Sequence, residues 1–327
     1  MLLYTYIRIA RFEEDTAVTD ISREILEKHQ IRKTKEQKAA FRGLALSTAK
    51  ENGYSAKVEI NGSAENIVIG DVDHAKVIYT AHYDTPAGTP FHNLMIPKNK
   101  LLYVLYQIAI CLLLYSIPIL IMTVGSGYVY SLTDSVELKN TVLWLGYLLI
   151  WVILALLLFG PANKHNANDN TSGVTVILDL MAAMPIEERS NVAFVLFDLE
   201  ERGCLGSAQF NKAHKSKLKS TPVINFDCVG VGSTILLAPR KGARSLAPKL
   251  GEAFTANDTF ATEIALNSTF SNSDHKNFSQ GVGVASFTTS KHGVLYTGKI
   301  HTKHDTECNE ENIDFIVECA IKLAKII

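Results

Sequence analysis

The sequence predicts an α/β protein, a three-layer α/β/α sandwich around a mixed, largely parallel sheet, with a two-helix transmembrane hairpin inserted into it. Two observations lead to this prediction. Short β-rich runs alternate with helical patterns along most of the 327 residues, which is typical of a parallel sheet covered by helices. In contrast, residues 101–122 and 141–160 contain no Asp, Glu, Lys or Arg, which is typical of segments that lie in lipid.

The soluble elements can be assigned in chain order. Helical patterns cover residues 16–30 and 33–52, and Gly53 is a suitable stop for the second. The further predicted strands are 55–60, 66–69, 76–80, 191–197, 222–226, 234–237 and 284–288, and the further predicted helices are 172–183, 205–214, 243–256 and 311–325.

The two uncharged segments have the length of membrane-spanning helices. Residues 101–122 are 22 residues long, and a helix of that length crosses roughly 30 Å of hydrocarbon. Residues 141–160 form a second segment of similar length, and Pro118 is expected to kink the first helix. The alternative is a buried helical hairpin, or a hydrophobic dimer surface, in a soluble protein.

Two crossings return the chain to the side that it left, so the segments before and after the hairpin share one compartment. Flanking charges predict the orientation: Lys98 and Lys100 precede the first segment and Lys164 follows the second, whereas the predicted connecting loop, residues 124–140, contains Asp134, Glu137 and Lys139. The positive-inside rule then places the soluble part in the cytoplasm, at the cell membrane. The predicted domains are residues 1–98 and 162–327, which together form one α/β unit, and the hairpin at 99–161.

The composition argues against nucleic-acid binding and against secretion. A formal net charge of −1 gives no sign of the basic patch that a nucleic-acid partner would require. Five cysteines without paired spacing favour a reducing compartment. Residues 1–11 lack the order of a secretory signal peptide. Oligomeric state is left open.

Acidic and imidazole side chains follow three predicted strands: His82 and Asp84 after residues 76–80, Glu200 and Glu201 after 191–197, and Asp227 after 222–226. In open α/β sheets, binding residues gather beyond the carboxyl ends of the strands. Carboxylates mixed with imidazoles suit zinc, and also cobalt or manganese. A pair of divalent ions needs a bridging carboxylate. The chain offers five ligands and a base for such a centre: His82, Asp169, Glu201, Asp227 and His301, with Glu200 as the base.

Each residue has a simpler interpretation when it is taken alone. The pair of glutamates could be a solvated surface patch, His82 a core histidine, and Asp169 part of a helix start. Asp227 is harder to dismiss, because a buried carboxylate is costly unless it is paired or bound to a metal.

The motifs in their order resemble the bacterial leucyl aminopeptidase and aminopeptidase Y family of two-zinc exopeptidases. The motifs are His82-Tyr83-Asp84, Asn168 to Gly173, Glu200 to Gly203 running into Gly206-Ser207, Asp227, Ser273 to His275, and His301-Thr302 with Asp305-Thr306. The resemblance covers about residues 66–91 and 162–325. Relatives bridge the gap between Asp84 and Asp169 with a short loop, so the hairpin is an insertion at the rim of the expected site.

The resemblance implies a role for each residue. His82 and Asp227 would bind one zinc ion, Glu201 and His301 the second, and Asp169 would bridge the two. Asp84 would orient the ring of His82, and Glu200 would act as general base. The implied activity is that of a membrane-anchored zinc aminopeptidase, in which hydroxide held by two metal ions attacks the first peptide bond of a substrate with a free N-terminus.

Some alternatives stay open. His301 fits the family pattern and His304 does not, but Ile300 stands where many relatives have a tyrosine that stabilises the oxyanion. Tyr296, His275 or the second zinc ion could replace it. The same fold could also support a carboxypeptidase, a glutaminyl cyclase with one zinc ion, or a membrane receptor or scaffold without catalysis.

Overall fold

A computed structural model describes residues 17–327 except 267, 269 and 271. The expectation for residues 1–11 lies outside the described residues, as does residue 16 of the first predicted helix. The sheet contains β1 (Ala56–Asn61), β2 (Ala64–Gly70), β3 (Val77–His82), β4 (Val192–Phe197), β5 (Val223–Phe226), β6 (Thr234–Pro239), β7 (Ala261–Ile264), β8 (Gly281–Thr289) and β9 (Leu295–Tyr296).

The strand order is β1-β2-β4-β3-β5-β8-β6-β7, and β9 pairs with β8. The central pairs β4-β3, β3-β5 and β5-β8 are parallel, whereas β1-β2, β2-β4 and β6-β8 are antiparallel. Every residue of β3, β4 and β5 is buried, as expected for parallel strands that are covered on both faces. The predicted mixed sheet with flanking helices is confirmed, although its parallel part is confined to the centre and to the edge pair β6-β7.

The soluble helices pack on both faces of this sheet. They are α1 (Ala17–Lys28), α2 (Lys35–Glu51), α6 (Gly173–Ala183), α7 (Leu205–Ala213), α8 (Lys215–Leu218), α9 (Ala247–Ala253) and α10 (Glu310–Ile326). Helices α1, α2, α6, α9 and α10 bury apolar side chains in one core, and α7 and α8 contribute Phe210 and Leu218 to a second core on the opposite face. Thr34 begins α2 with a capping box, since it exchanges hydrogen bonds with Gln37.

The hairpin consists of two long apolar helices. The first comprises α3 (Lys100–Leu120), a π-helical turn (Ile121–Gly125) and α4 (Ser126–Leu132), and the second is α5 (Val136–Phe159). Both are long and apolar enough to cross a membrane, and only 6% of the most hydrophobic window of each is buried. The two helices are therefore not buried against the described α/β unit, whereas the alternative of a hydrophobic dimer surface stays open.

The connection between the two helices is shorter than the sequence predicted. A loop was expected over residues 124–140, but only residues 133–135 separate α4 from α5. Residues 123–132 contain neither proline nor a charged side chain, so nothing ends the first helix before Thr133. Pro118 lies inside α3, and the π-helical turn begins three residues after it.

The insertion leaves and rejoins the α/β unit at neighbouring points. Ala87 and Ala162 form an antiparallel bridge, in which the N–H of Gly88 donates to the carbonyl of Pro161 at 2.9 Å. The side-chain amide of Asn163 donates to the carbonyl of Thr302 at 3.0 Å. The base of the hairpin is thus attached to the loop that carries His301.

Candidate metal centre

Three adjacent parallel strands direct site residues to one edge of the sheet. His82 is the last residue of β3, Glu200 and Glu201 follow β4 after two residues, and Asp227 follows β5 directly. Because β3 lies between β4 and β5, these four side chains come from neighbouring positions. Asp169, in the turn before α6, and His301, in the loop after β9, complete the group.

His82, Asp169 and Asp227 form one set of potential ligands. The Nε2 atom of His82 lies 3.3 Å from Oδ1 of Asp169 and 3.7 Å from Oδ1 of Asp227. Two ligand atoms that each lie about 2.0–2.1 Å from one tetrahedral zinc ion are roughly 3.3 Å apart. The spacing of the three side chains therefore fits a shared ion.

Asp169, Glu201 and His301 form a second set. The Nε2 atom of His301 lies 3.0 Å from Oδ2 of Asp169 and 3.5 Å from Oε2 of Glu201. The two sets use different oxygens of Asp169, so its carboxylate stands between them. This is the position that a bridging ligand of a dinuclear centre requires.

The donor set fits divalent cations in charge as well as in spacing. His82, Asp169 and Asp227 are buried, and burying several carboxylates together is costly without compensating positive charge. The Oε1 atom of Glu201 is buried without a hydrogen-bond partner among the described residues. An unpaired carboxylate oxygen beside two imidazoles suits a metal ligand.

The pKa shifts reflect the same concentration of charge. Burial raises the pKa of Glu201 to about 8. Burial opposes protonation of His301, but the carboxylates of Glu201 and Asp169 raise its pKa to about 10. Burial would also raise the pKa of Asp169, yet hydrogen bonds from His301 and His82 hold it below the ordinary value. The carboxylates thus favour positive charge in this part of the cleft, which divalent cations would supply when bound.

Several residues at or beside the two ligand sets have a left-handed backbone conformation. In the described part of the chain, the non-glycine residues with positive φ are Leu199 (57°), Cys204 (60°), Cys228 (58°) and His301 (61°). Each belongs to the site or lies within a few residues of Glu200, Glu201 or Asp227. Such positions carry a conformational cost and cluster at functional sites. They allow Glu200 and Glu201 to share the cleft, because the pair lies in a 3₁₀ turn instead of a regular strand.

Asp84 contacts the site differently from the sequence-based expectation. Its carboxylate accepts hydrogen bonds from the backbone N–H groups of Glu200 (2.9 Å) and Glu201 (3.3 Å). The Nδ1 atom of His82 lies 3.1 Å from the backbone carbonyl of Asp84 and 3.7 Å from its carboxylate. The carboxylate therefore fixes the glutamate turn, and the main chain of the same residue orients the imidazole.

A second aspartate, Asp305, holds the turn that contains Asp169. Its two carboxylate oxygens accept the N–H groups of Asn168 (2.8 Å) and Asp169 (3.0 Å). Burial raises the pKa of Asp305 to about 7, and the negative charge of Asp169 adds to this shift. Because Asp305 lies four residues after His301, it connects the segments that carry these two potential ligands.

Arg32, between α1 and α2, is a site-supporting residue that the sequence did not indicate. Its guanidinium is fully buried, and it donates to the carbonyl of Tyr83 and to Oγ1 of Thr171. Burial lowers its pKa to about 10, while Asp84 and Asp169 favour the charged form. Only its place in the fold reveals this role, since nothing in its sequence neighbourhood forms a motif.

Glu200 faces the same cleft as the potential ligands. One of its oxygens lies within 4.8 Å of a ring nitrogen of His82 and a carboxylate oxygen of Glu201. Its Oε1 atom accepts from the thiol of Cys204 at 3.2 Å. Burial raises the pKa of Glu200 well above its ordinary value, which makes this carboxylate a better proton acceptor.

The proposed substitutes for a tyrosine at position 300 lie apart from the cleft. Ile300 lines the cleft, but Tyr296 is in β9, and the ring of His275 is buried against Gly283 and Phe270. The cleft has a volume of about 270 Å³ and does contain a tyrosine, Tyr103, from the first turn of α3. His304 is exposed and stacks on His92, outside both ligand sets.

Comparisons with known proteins identify a family. Residues 152–324, just over half of the chain, match the model of peptidase family M28. The match includes five of the seven predicted site residues and begins after His82 and Asp84, which the hairpin separates from the rest. No curated protein sequence matches the chain.

Solved structures share the fold at low sequence identity. The LapA aminopeptidase of Legionella pneumophila has a TM-score of 0.56 and 15% identity, over 94% of this chain and 68% of that one. A glutaminyl cyclase of Porphyromonas gingivalis has a TM-score of 0.54 and 16% identity, over 95% and 97%. A leucine aminopeptidase precursor of Bacteroides thetaiotaomicron has a TM-score of 0.51 and 13% identity, over 94% and 95%. At this level of sequence identity the similarities show only the fold. The reaction has to be inferred from the residues of the site.

Proposed function

Because the chain belongs to peptidase family M28, we propose that it is a membrane-anchored zinc aminopeptidase that removes N-terminal residues from peptides. The observation that carries the proposal is the carboxylate of Asp169, whose two oxygens face two separate ligand sets at 3.0 and 3.3 Å. Cobalt or manganese could occupy the same oxygen and nitrogen ligands.

The ligand assignment follows the two sets. His82, Asp227 and one oxygen of Asp169 would hold one ion, and Glu201, His301 and the other oxygen of Asp169 would hold the second. Zinc ions, when bound, would polarise a water molecule and the carbonyl group of the peptide bond. The backbone of Asp84 would keep the ring of His82 in the tautomer that a ligand needs.

Glu200 would act as the general base that transfers the proton. Its carboxylate accepts a proton from the attacking water and then delivers it to the amine that leaves when the peptide bond breaks. The same acidic cleft attracts a substrate's free α-amine, which is a cation at neutral pH. This preference would distinguish an aminopeptidase from a carboxypeptidase, whose substrates bring a carboxylate to the site.

The proposal includes the membrane hairpin and the domain division. The α3–α4 helix and α5 would span the cell membrane, with residues 1–98 and 162–327 forming one catalytic domain in the cytoplasm. Support comes from the exposure of their apolar side chains and from the lysines that flank the hairpin.

Turnover of matched peptides tests the reaction. The zinc-loaded protein in detergent should hydrolyse a peptide with a free N-terminus and leave its N-acetylated counterpart intact. The Glu200→Gln variant should lower kcat by roughly 10² to 10⁴ because general base catalysis contributes that much. Its zinc content should stay unchanged, and Glu187→Gln, at an exposed position, serves as the control.

Other outcomes would contradict the proposal. Unimpaired turnover in the Glu200→Gln variant would show that Glu200 is not the general base. Equal cleavage of both peptides would show that the protein does not require a free N-terminus and is not an aminopeptidase. Ammonia release from a peptide with N-terminal glutamine, without hydrolysis of other peptides, would indicate a glutaminyl cyclase. Zinc binding without turnover of any substrate would indicate a receptor or scaffold.

A further inference from the structure

The cleft contains one basic side chain that belongs to neither ligand set. Lys276 is the only lysine or arginine among the described residues that line the cleft. It lies in a 3₁₀ turn (Asp274–Asn277) that includes most of the Ser273 to His275 motif. The lining carboxylates belong to the two ligand sets and to Glu200. The cleft therefore offers a cluster of negative charge and one lysine, which suits a ligand with charges of both signs.

Hydrogen bonds fix the turn of Lys276 to the segment that follows Glu200. The side-chain amide of Asn277 donates to the carbonyl of Cys204 at 3.0 Å and to Oγ of Ser207 at 2.7 Å. The thiol of Cys204 donates to Oε1 of Glu200 at 3.2 Å. The position of the turn relative to the proposed general base is therefore defined by side-chain contacts.

The charges of Lys276 and Glu200 act on the same thiol. Burial raises the pKa of Cys204, and the carboxylate of Glu200 adds to this shift, whereas the ammonium group of Lys276 opposes it. Both side chains thus lie close enough to Cys204 for their charges to affect it. Lys276 is accordingly on the side of the cleft where Glu200 lies.

The ammonium group of Lys276 has capacity for a ligand. Its Nζ atom donates to Oδ1 of Asn272, another residue of the cleft lining, at 2.7 Å. In the described part of the chain this is its only hydrogen bond, and it forms no ion pair with a carboxylate. A lysine carries three N–H donors, so two remain for a bound molecule. The side chain is half-buried, and an anion that it binds would be partly shielded from water.

The size of the cleft favours a short substrate. Its volume of about 270 Å³ is below the range of roughly 300–1,000 Å³ that is typical of pockets for drug-sized ligands. A peptide that fits inside such a cleft has few residues, and both of its charged ends then lie near the lining.

We propose that Lys276 binds the C-terminal carboxylate of a dipeptide, so that dipeptides with both ends free are preferred substrates. The inference rests on the proposed aminopeptidase function and names a substrate class for the same site. One water molecule would cleave the peptide bond of such a substrate and release two free amino acids.

The proposed proton transfer explains why the carboxylate would meet Lys276. Glu200 delivers its proton to the leaving amine, so the residue that carries this amine lies beside Glu200. In a dipeptide only one carbon atom separates that amine from the C-terminal carboxylate. A lysine on the Glu200 side of the cleft can therefore pair with it, while the free α-amine stays near the acidic ligand sets.

Matched substrates and variants of Lys276 test the inference in the zinc-loaded, full-length protein. The ratio of kcat/KM for alanyl-alanine over its C-terminal amide should fall roughly 10- to 100-fold in Lys276→Met, the scale of one charge-assisted hydrogen bond. Lys276→Arg should retain most of the ratio, because the positive charge remains. Lys212→Met, at an exposed position outside the cleft lining, is the matched control and should leave the ratio unchanged.

A longer substrate checks that the effect depends on the length of the peptide. Lys276→Met should leave hydrolysis of an alanine pentapeptide nearly unchanged, because the carboxylate of that peptide lies beyond Lys276. An equal loss of activity on the dipeptide, its amide and the pentapeptide would contradict the inference, as would a dipeptide ratio that Lys276→Met does not alter.

A binding measurement separates this inference from the proposed reaction. Calorimetry can use alanyl-alanine and its C-terminal amide with the peptide bond reduced to CH₂–NH, which cannot be hydrolysed. Tighter binding of the carboxylate probe, lost in Lys276→Met and kept in Lys212→Met, supports the inference even if no peptide is hydrolysed. Equal affinity of the wild type for both probes would overturn it, as would the same change in both variants.

Discussion

Arg32 is a fully buried cation, and burying its charge is costly unless nearby groups compensate for it. Its backbone pairs with Thr85, its guanidinium donates to the carbonyl of Tyr83 and to Thr171, and Asp84 and Asp169 supply the compensating negative charge. A buried guanidinium persists when it is paired and hydrogen-bonded. Arg32 thus joins the segment after β3 to the turn of Asp169.

Replacing Arg32 with methionine should destabilise the fold. The substitution leaves the oxygens of Tyr83 and Thr171 without their donor and removes a buried positive charge, which costs about 3 to 5 kcal/mol. Thermal unfolding of the purified variant should show a clearly lower Tm, whereas Lys35→Met at an exposed position should stay within about 0.5 kcal/mol of the wild type. A Tm equal to that of the wild type would show that Arg32 does not hold these segments.

At the scale of elements, apolar runs in the sequence predicted the positions of the central strands and of the two long helices. The strands of the buried centre were predicted within a few residues because each is a short run of mainly apolar residues. β7 (Ala261–Ile264) was missed because it is a short, half-exposed edge strand without such a run. The hairpin turn was predicted too long because the first segment was ended at Met122, whereas the helix continues through the π-helical turn and α4 to Leu132.

The orientation of the hairpin can be tested at its short turn. Asp134 lies between α4 and α5, so Asp134→Cys should react with a membrane-impermeant maleimide added to intact cells. Lys212→Cys, at an exposed position on α7, should react only after lysis if the α/β domain lies in the cytoplasm, as we propose from the lysine bias. The reverse labelling pattern would contradict the proposed orientation, and labelling of both sites in intact cells would contradict two spans.

At the scale of the whole molecule, the sheet brings some of the site residues together, and loops bring in the others. His82, Glu200 and Asp227 could be placed together from sequence because each follows a buried strand. Asp169 and His301 follow no such strand directly, so their proximity rested on a family resemblance. The position of Tyr103 in the lining of the cleft could not be predicted, because it depends on how the hairpin rejoins the sheet.

The fold also explains how a large insertion leaves the site intact. The hairpin leaves and returns through the bridge between Ala87 and Ala162, so β3 and α6 keep the spacing that a short loop would give them. The inserted chain borders the cleft and does not pass between the two ligand sets. The chain thus joins two exposed apolar helices to an α/β peptidase fold without separating His82 from Asp169.

The central claim is that Asp169 joins two metal sites, and elemental analysis of the purified protein tests it most directly. The wild type should contain two zinc ions per chain, and Asp73→Asn, at an exposed position, should keep both. Asp169→Asn should retain less than one, because both ligand sets lose a carboxylate oxygen, and His301→Ala should retain about one. A wild type with a single zinc ion, or an Asp169→Asn variant that keeps two, would contradict the shared-carboxylate centre.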